Sequence, residues 1–289
     1  MYKMPFIISG VFYRSNTRRL SATASQRLLV FEPINLFHHM ITMPPFLSAI
    51  LKEVRVQTPD TKSFFFELQS GVSEMRFKPG QHIMIAFRKG QKSERASRSD
   101  ASSPLFRPYS MTSLPEQLPV FELCIKRYPE GTASAYMHSL KPGDKLEFMK
   151  PRGNLYLRNE NRNLVFIATG TGITPLMAMI RQALRNGNEK VWLFSGNRTE
   201  QDIIYRKEFG QLAKKHGSFS PFFILSRAEN GWQGQKGYVQ DHLGKQLQDF
   251  AGKDYYICGV PKMVVQTQQL LRQKGVPDDC VYTEGWEGA

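Results

Sequence analysis

The 289-residue sequence predicts two domains in series, a small antiparallel β-barrel followed by a doubly wound parallel α/β sheet. Three observations carry this. Short β-rich runs alternate with turn residues from Leu47 to Met149, whereas beyond the polar linker Arg158–Asn163 strands interleave with helical stretches. Between them, Leu164 to Pro175 (LVFIATGTGITP) runs an apolar strand directly into a glycine turn.

Residues 1–45 hold one acidic residue, Glu32, among several arginines and many serines and threonines. That is the composition of an organellar targeting segment, and equally of an over-long start, because Met40 and Met43 directly precede the first strand. This basic arm stands outside the fold argument. In the barrel domain, 46–158, strands are expected at Ile50–Val56, Ser63–Leu68, Gln81–Phe87, Val120–Arg127 and Lys145–Met149. Gly71, Pro79-Gly80, Pro119 and Pro142-Gly143 separate them. Short strands at this spacing suit a small barrel. Gly90–Pro104, rich in Ser, Arg, Lys and Asp, reads as a mobile loop.

In the second domain, 163–289, strands are expected at Leu164–Ala168, Lys190–Ser195, Ser218–Leu225, Asp254–Cys258 and Cys280–Thr283. The first is apolar throughout, as a strand buried on both faces requires. A helix should begin near Thr174, with Thr174 as its cap and Pro175 in its first turn. Leu176, Met179, Ile180 and Leu184 give that helix an apolar face.

The formal net charge of +14 calls for an acidic partner. Much of the excess lies in the arm (Lys3, Arg14, Arg18, Arg19, Arg27) and around Arg88, Lys89, Lys92, Arg95 and Arg98. Neither region has an RNA-binding sheet signature or a zinc-finger pattern, so solvated charge is the better reading and nucleic acid is not an expected partner. No apolar run approaches the roughly 18 to 20 residues of a membrane span. Cys124, Cys258 and Cys280 stand far apart, with no zinc spacing and no four-cysteine iron–sulfur set. A reducing compartment fits, and the expectation is a soluble cytoplasmic monomer, or an organellar matrix protein if the arm is a targeting segment.

Three elements suit anions. At Gly170 and Gly172 the backbone can approach a ligand closely, and the following helix N-terminus favours negative charge. The turn lacks the third glycine of the usual dinucleotide fingerprint, however, and read alone it is also a plain strand-to-helix turn. Arg107-Pro108-Tyr109-Ser110 combines a guanidinium fork for phosphate, a ring that stacks on a heterocycle and a hydroxyl for a ring nitrogen. Gly131-Thr132-Ala133-Ser134, before a short helix expected over Ala135–Leu140, is a second phosphate-type site. Each has a plainer reading: a surface ion pair for Arg107, barrel core for Tyr109, a turn for Gly131.

With RPYS (107–110), LCIKRY (123–128), GTAS (131–134), GTGITP (170–175), ICGVPKM (257–263) and TEGW (283–286) in this order, the sequence resembles the ferredoxin-NADP reductase superfamily of flavoproteins. The resemblance runs from Leu47 to Trp286. It implies a six-stranded FAD-binding barrel and an NAD(P)-binding α/β domain. Arg107 would bind the flavin phosphates, Pro108 would accompany it, Tyr109 would pack on the isoalloxazine and Ser110 would bond N5. Gly131 and Ser134, with Thr132, would bind the FAD pyrophosphate, favouring FAD over FMN.

The resemblance also assigns Gly170, Thr171, Gly172 and Pro175 to the nicotinamide dinucleotide's pyrophosphate, and sets Cys258-Gly259 beside the nicotinamide. A core cysteine is the plainer reading of Cys258. Glu284 looks like the family's glutamate near the nicotinamide, and Trp286 like the terminal aromatic that covers the flavin; edge packing is the alternative for Trp286. Ser226, Arg227, Lys236 and Tyr238 resemble a 2′-phosphate and adenine site, favouring NADPH. Against this, Trp232, Gly234, Gly237-Tyr238-Val239 and Pro108 also look like NADH-using oxygenase and cytochrome b5 reductases, and Arg227 and Lys236 could be plain surface charge.

The implied activity is hydride transfer from NADPH to FAD, with Ser110, Cys258 and Glu284 at the reacting centre. Single electrons then pass to a separate carrier, because this chain has no iron–sulfur set, and a basic face suits an acidic ferredoxin or flavodoxin. Two alternatives stand: an NADH-dependent reductase component for an oxygenase or cytochrome, and a non-catalytic basic binding protein that retains the fold.

Overall fold

The computed structural model describes residues 46–69, 75–87, 105–158 and 162–284. The basic arm, the Gly71 turn, the Gly90–Pro104 loop and Trp286 lie outside them. The first layer has six antiparallel strands: β1 (Leu47–Thr58), β2 (Thr61–Leu68), β3 (His82–Phe87), β4 (Leu105–Ser110), β5 (Val120–Lys126) and β6 (Lys145–Arg152). Their order is β4-β3-β6-β1-β2-β5. Just beyond β4 the chain meets β5 at the Met111–Leu123 bridge, through the Thr112 N–H, which donates to Glu122 O at 3.0 Å, and through the Glu122 N–H, which donates to Ser113 Oγ at 3.0 Å. The barrel is therefore closed by a short contact, not a full ladder.

Alternation along the strands points Phe64, Phe66, Phe121 and Phe148 into the barrel, where Phe66 stacks on Phe121 and Phe121 meets Phe148 edge-on. The helix α1 (Thr132–Ser139) adds Tyr136 and Met137 to the same core. It begins three residues before the expected Ala135, with Gly131 as its N-cap. Strand β4 was not among the expected strands because Arg107-Pro108 interrupts the apolar pattern. Its place at the edge of the sheet order explains the proline, which has no N–H to give to a neighbour.

The second layer is parallel, in the order β10-β9-β8-β7-β11-β12. Its strands are β7 (Asn163–Thr169), β8 (Val191–Asn197), β9 (Phe219–Leu225), β10 (Gln235–Lys236), β11 (Lys253–Cys258) and β12 (Val281–Glu284). The two-residue β10 is too short to leave a sequence pattern. Along β7, Leu164, Phe166 and Ala168 face one core with α2 (Ile173–Asn186) and α3 (Arg206–Lys215). Val165 and Ile167 face the other, with α4 (Gln240–Gln246) and α5 (Pro261–Gln273). Helices on both faces make the sheet doubly wound, and the strand order reverses between β7 and β11. A crevice outside the carboxyl ends of those two strands is where such sheets bind ligands.

One local expectation is corrected. A 3-10 turn at Gly170–Gly172 leads into α2, whose N-cap is Gly172 and not Thr174. Thr174 already lies in the first turn, and its hydroxyl donates back to Thr171 O at 2.9 Å, so backbone N–H groups at the helix start carry no side-chain cap. Among the described residues, no helix is long and apolar enough to cross a membrane.

Candidate functional site

On the barrel side the site begins where β4 ends. Ser110 is 4% exposed and its Oγ has no hydrogen-bond partner among the described residues. A buried hydroxyl left unpaired costs free energy that a ligand atom would recover. Tyr109 is half-buried against the barrel core, and burial raises its phenol far above the ordinary value despite nearby Arg107, so it stays neutral. Pro108 is half-buried beside it, and Arg107 is exposed, with one Nη1 donating to Phe106 O at 2.9 Å.

At the start of α1, the Ser134 hydroxyl accepts from the Tyr128 N–H at 3.1 Å and donates to Gly131 O at 3.0 Å. Ser134 thus shapes the loop, and what the loop offers an anion is the unpaired first-turn N–H groups, beginning at Thr132. A Cβ on Gly131 would lie 2.6 Å from Ser134 Oγ, so a side chain here would push that hydroxyl out of its two hydrogen bonds.

The carboxyl ends of β7 and β11 meet backbone to backbone. A Cβ on Gly172 would lie 2.1 Å from Cys258 O, and one on Gly259 would lie 2.1 Å from Thr169 Oγ1. Thr169 Oγ1 also accepts from the Val260 N–H at 2.9 Å. Gly170 takes a positive φ of 53° in open space, and Pro175 is buried in the first turn of α2. Above this turn Tyr128 OH stands 3.5 Å from Thr171 Oγ1, so the two anion-friendly turns lie side by side across the domain boundary.

Cys258 is fully buried and pairs in register with Ala168 on one side and Glu284 on the other. Glu284 reaches back to the barrel, its Oε1 lying 3.5 Å from His82 Nδ1, and its Oε2 is buried without a hydrogen-bond partner among the described residues. His82 is itself paired with Ser110 across β3 and β4. The structure brings Ser110, Cys258 and Glu284 to one seam, with His82 beside them. Nothing local marks His82 in the sequence; only the register of β3 against β4 does.

A third region lies at the ends of β8, β9 and β10. The Ser226 N–H donates to Asn197 O at 3.0 Å and the Arg227 N–H to Arg198 O at 2.8 Å, which aligns these chains edge to edge. His242 Nε2 meets Lys236 O at 2.8 Å and holds the next segment in place. Arg198, Arg227 and Lys236 are exposed, with no acidic partner among the described residues, and Tyr238 beside them is 63% exposed. Arg198 is the residue that sequence reasoning missed here, because its neighbour Arg227 is distant in the chain.

Two family models match the chain: the oxidoreductase FAD-binding domain over residues 48–156 and the oxidoreductase NAD-binding domain over 166–269. The chain is 33% identical over 251 residues to a ferredoxin–NADP reductase B of Sorangium cellulosum, covering 83% of this chain and 93% of that protein. To an NADH-cytochrome b5 reductase 2 of Mycosarcoma maydis it is 34% identical over 228 residues, covering 76% and 63% respectively. A crystal structure of a ferredoxin NADP+ reductase from Neisseria gonorrhoeae with bound FAD and NADP shares the fold. The TM-score is 0.69 at 22% identity, over 84% of this chain and 99% of that one.

Proposed function

The chain belongs to the ferredoxin-NADP reductase family of FAD- and NAD(P)H-using oxidoreductases, and from that premise we propose that it takes hydride from NADPH and delivers single electrons to a separate acidic carrier protein such as a ferredoxin or flavodoxin. The observation that carries this reading is the pair of buried oxygens, Ser110 Oγ and Glu284 Oε2, on opposite sides of one seam, neither with a hydrogen-bond partner among the described residues. FAD, when bound, supplies the chemistry of accepting a hydride and releasing electrons one at a time.

The protein's part is to hold and exclude. Ser110 Oγ would bond the flavin ring nitrogen, with Tyr109 packing on the ring, while Arg107 and the N–H groups of the Gly131-Thr132 turn would hold phosphate. The Gly170-Thr171-Gly172 turn would hold the second pyrophosphate, and the tight packing of Cys258-Gly259 on Gly172 would fix the floor of the nicotinamide site. Glu284, steadied by His82, would orient the nicotinamide against Ser110.

Arg198, Arg227 and Lys236 support NADPH, since three uncompensated cations beside Tyr238 suit a phosphate next to a purine. The similarity to an NADH-cytochrome b5 reductase keeps a second reading, NADH oxidation coupled to a cytochrome or oxygenase. An acidic carrier is supported by Arg76, Lys78, Arg152 and Arg158, all exposed and without acidic partners among the described residues. Lys78 and Arg158 both stack on the Tyr156 ring, at 4.3 and 3.8 Å from its centroid.

The test is anaerobic reduction of the FAD-loaded protein by NADPH and by NADH, in the wild type and in Arg227→Ala. Faster reduction by NADPH, lost in the variant, is expected. Equal rates with the two coenzymes, unaltered by the substitution, would remove the NADPH assignment, and a protein that gains no flavin spectrum with FAD would remove the enzymatic one.

A further inference from the structure

We propose that Arg181 is a positioning residue for hydride transfer: it ties the helix that presents the coenzyme turn to the barrel segment that presents Ser110, and so sets the alignment of the two sites. This rests on the functional reading above. Arg181 lies on α2, the helix that begins at the Gly170–Gly172 turn. Its Nη1 crosses to the barrel, donating to Thr112 O at 2.6 Å and to Glu122 Oε2 at 2.9 Å. Thr112 is two residues beyond Ser110. The Nε and Nη2 donors turn the other way and bond both oxygens of Glu208, on α3 in the same layer, at 2.9 Å each.

The barrel end of the tie is itself braced. Glu122 Oε1 accepts from Tyr205 OH at 2.8 Å, the Glu122 N–H donates to Ser113 Oγ at 3.0 Å, and Tyr205 OH lies 3.4 Å from Ser63 Oγ. Tyr205 is the one described non-glycine residue with positive φ, 59°, a strained conformation that the surrounding packing must over-determine. Burial opposes charge on both Glu122 and Arg181, but their mutual attraction, with Glu208, outweighs it, and both stay ionised.

A buried ion cluster is a weak source of stability, since apolar side chains of similar volume pack there at least as well. What a guanidinium with every nitrogen engaged supplies instead is a fixed direction and distance. Here that direction runs from the coenzyme turn to the residues next to Ser110. Small misplacements of reacting groups cost large factors in rate, so a tie at this point has a kinetic consequence.

Three variants of the FAD-loaded chain separate this role from a structural one. Arg181→Lys keeps the charge and loses the fork; Tyr205→Phe removes the brace on Glu122 together with the Ser63 contact and leaves every Arg181 bond in place; Glu208→Gln weakens the tie within the α/β layer. Flavin reduction by NADPH is followed in stopped flow, NADP+ affinity by titration, and backbone hydrogen exchange at Ser110–Ser113 by mass spectrometry. Arg181→Lys should slow reduction roughly tenfold to a hundredfold at unchanged NADP+ affinity, with faster exchange at Ser110–Ser113. Tyr205→Phe should move both readouts in the same direction, and Glu208→Gln neither. Wild-type reduction in both Arg181→Lys and Tyr205→Phe would overturn the proposal, as would equal slowing in Glu208→Gln and Arg181→Lys. If the wild type is reduced by neither coenzyme, the functional reading falls, while exchange at Ser110–Ser113 still reports on the tie.

Discussion

His82 Nδ1 and Glu284 Oε1 stand 3.5 Å apart across the seam between barrel and parallel sheet, and the same histidine pairs with Ser110 in the β3–β4 ladder. Through that single contact the last described residue of the chain is brought next to the end of β4. Glu284 is therefore held from the opposite layer by His82 as well as by its own strand, and the proposed function gives this carboxylate a part in hydride transfer. Glu284→Gln should keep the fold and the bound FAD while slowing flavin reduction by about tenfold or more. His82→Gln should give a smaller loss, because Glu284 keeps its place in β12. Stopped-flow reduction of the two variants checks both expectations.

Removing the Ser110 hydroxyl takes away a buried group that has no hydrogen-bond partner among the described residues. Ser110→Ala should thus leave thermal stability unchanged or slightly raised. Flavin reduction should fall by roughly a hundredfold, the scale seen when a preorganised donor is removed. A thermal melt alongside the kinetics distinguishes this from a folding defect.

The two glycines of the coenzyme turn should respond differently. At Gly172 an added Cβ would meet Cys258 O at 2.1 Å and Cys258 C at 2.4 Å, both backbone atoms that cannot rotate away. Gly172→Ala should displace the turn and abolish NADP+ binding in a titration. Gly170 faces open space, and Gly170→Ala should cost about 1 kcal/mol for its left-handed backbone and leave affinity measurable.

Arg198 should matter only for the phosphorylated coenzyme. Loss of one charge-assisted hydrogen bond corresponds to roughly tenfold to a hundredfold in affinity. Arg198→Ala should raise the KM for NADPH by about that factor and leave the KM for NADH unchanged, as steady-state assays with both would reveal.

Glu122 makes stability depend on acidity. Burial pushes its carboxyl upward, but Arg181 and the Ser63 and Tyr205 hydroxyls outweigh this and hold it below the ordinary carboxylate range. A folded value below the unfolded one means that its contribution is present at neutral pH and is lost as pH falls through the lowered value. The melting temperature should therefore drop steeply below the usual carboxylate range. In Glu122→Gln that part of the acid dependence should be flattened, which a series of melts across acidic pH would measure.

The sequence made the two layers legible because burial on one face or two leaves a period in the chain: the alternation in β1 and β2 and the continuous run in β7 are such records. Strand β4 escaped because its proline is tolerated only by its edge position, a fact about neighbours. The turns around Gly170 and Gly131 were readable because glycine is selected locally, by a left-handed backbone at Gly170 and by close neighbours at Gly172 and Gly131. His82, Arg198 and Arg181 were not, since each acts through a residue distant in sequence, and only register and packing bring the partners together. Thr174 misled because a threonine before a proline looks like a cap, whereas the preceding 3-10 turn had already begun the helix.

The Arg181–Glu122–Tyr205 cluster also bears on how freely such halves can be recombined. A barrel grafted onto a foreign coenzyme layer would carry Glu122 into the junction without its cation, and this chain's α/β layer on a foreign barrel would leave Arg181 Nη1 without its Thr112 and Glu122 acceptors, with only Glu208 still bonded. An uncompensated buried charge costs several kcal/mol. Functional chimeras should therefore be recovered only when both sides of this cluster are transplanted together, which makes it a compatibility code between the two halves of the chain.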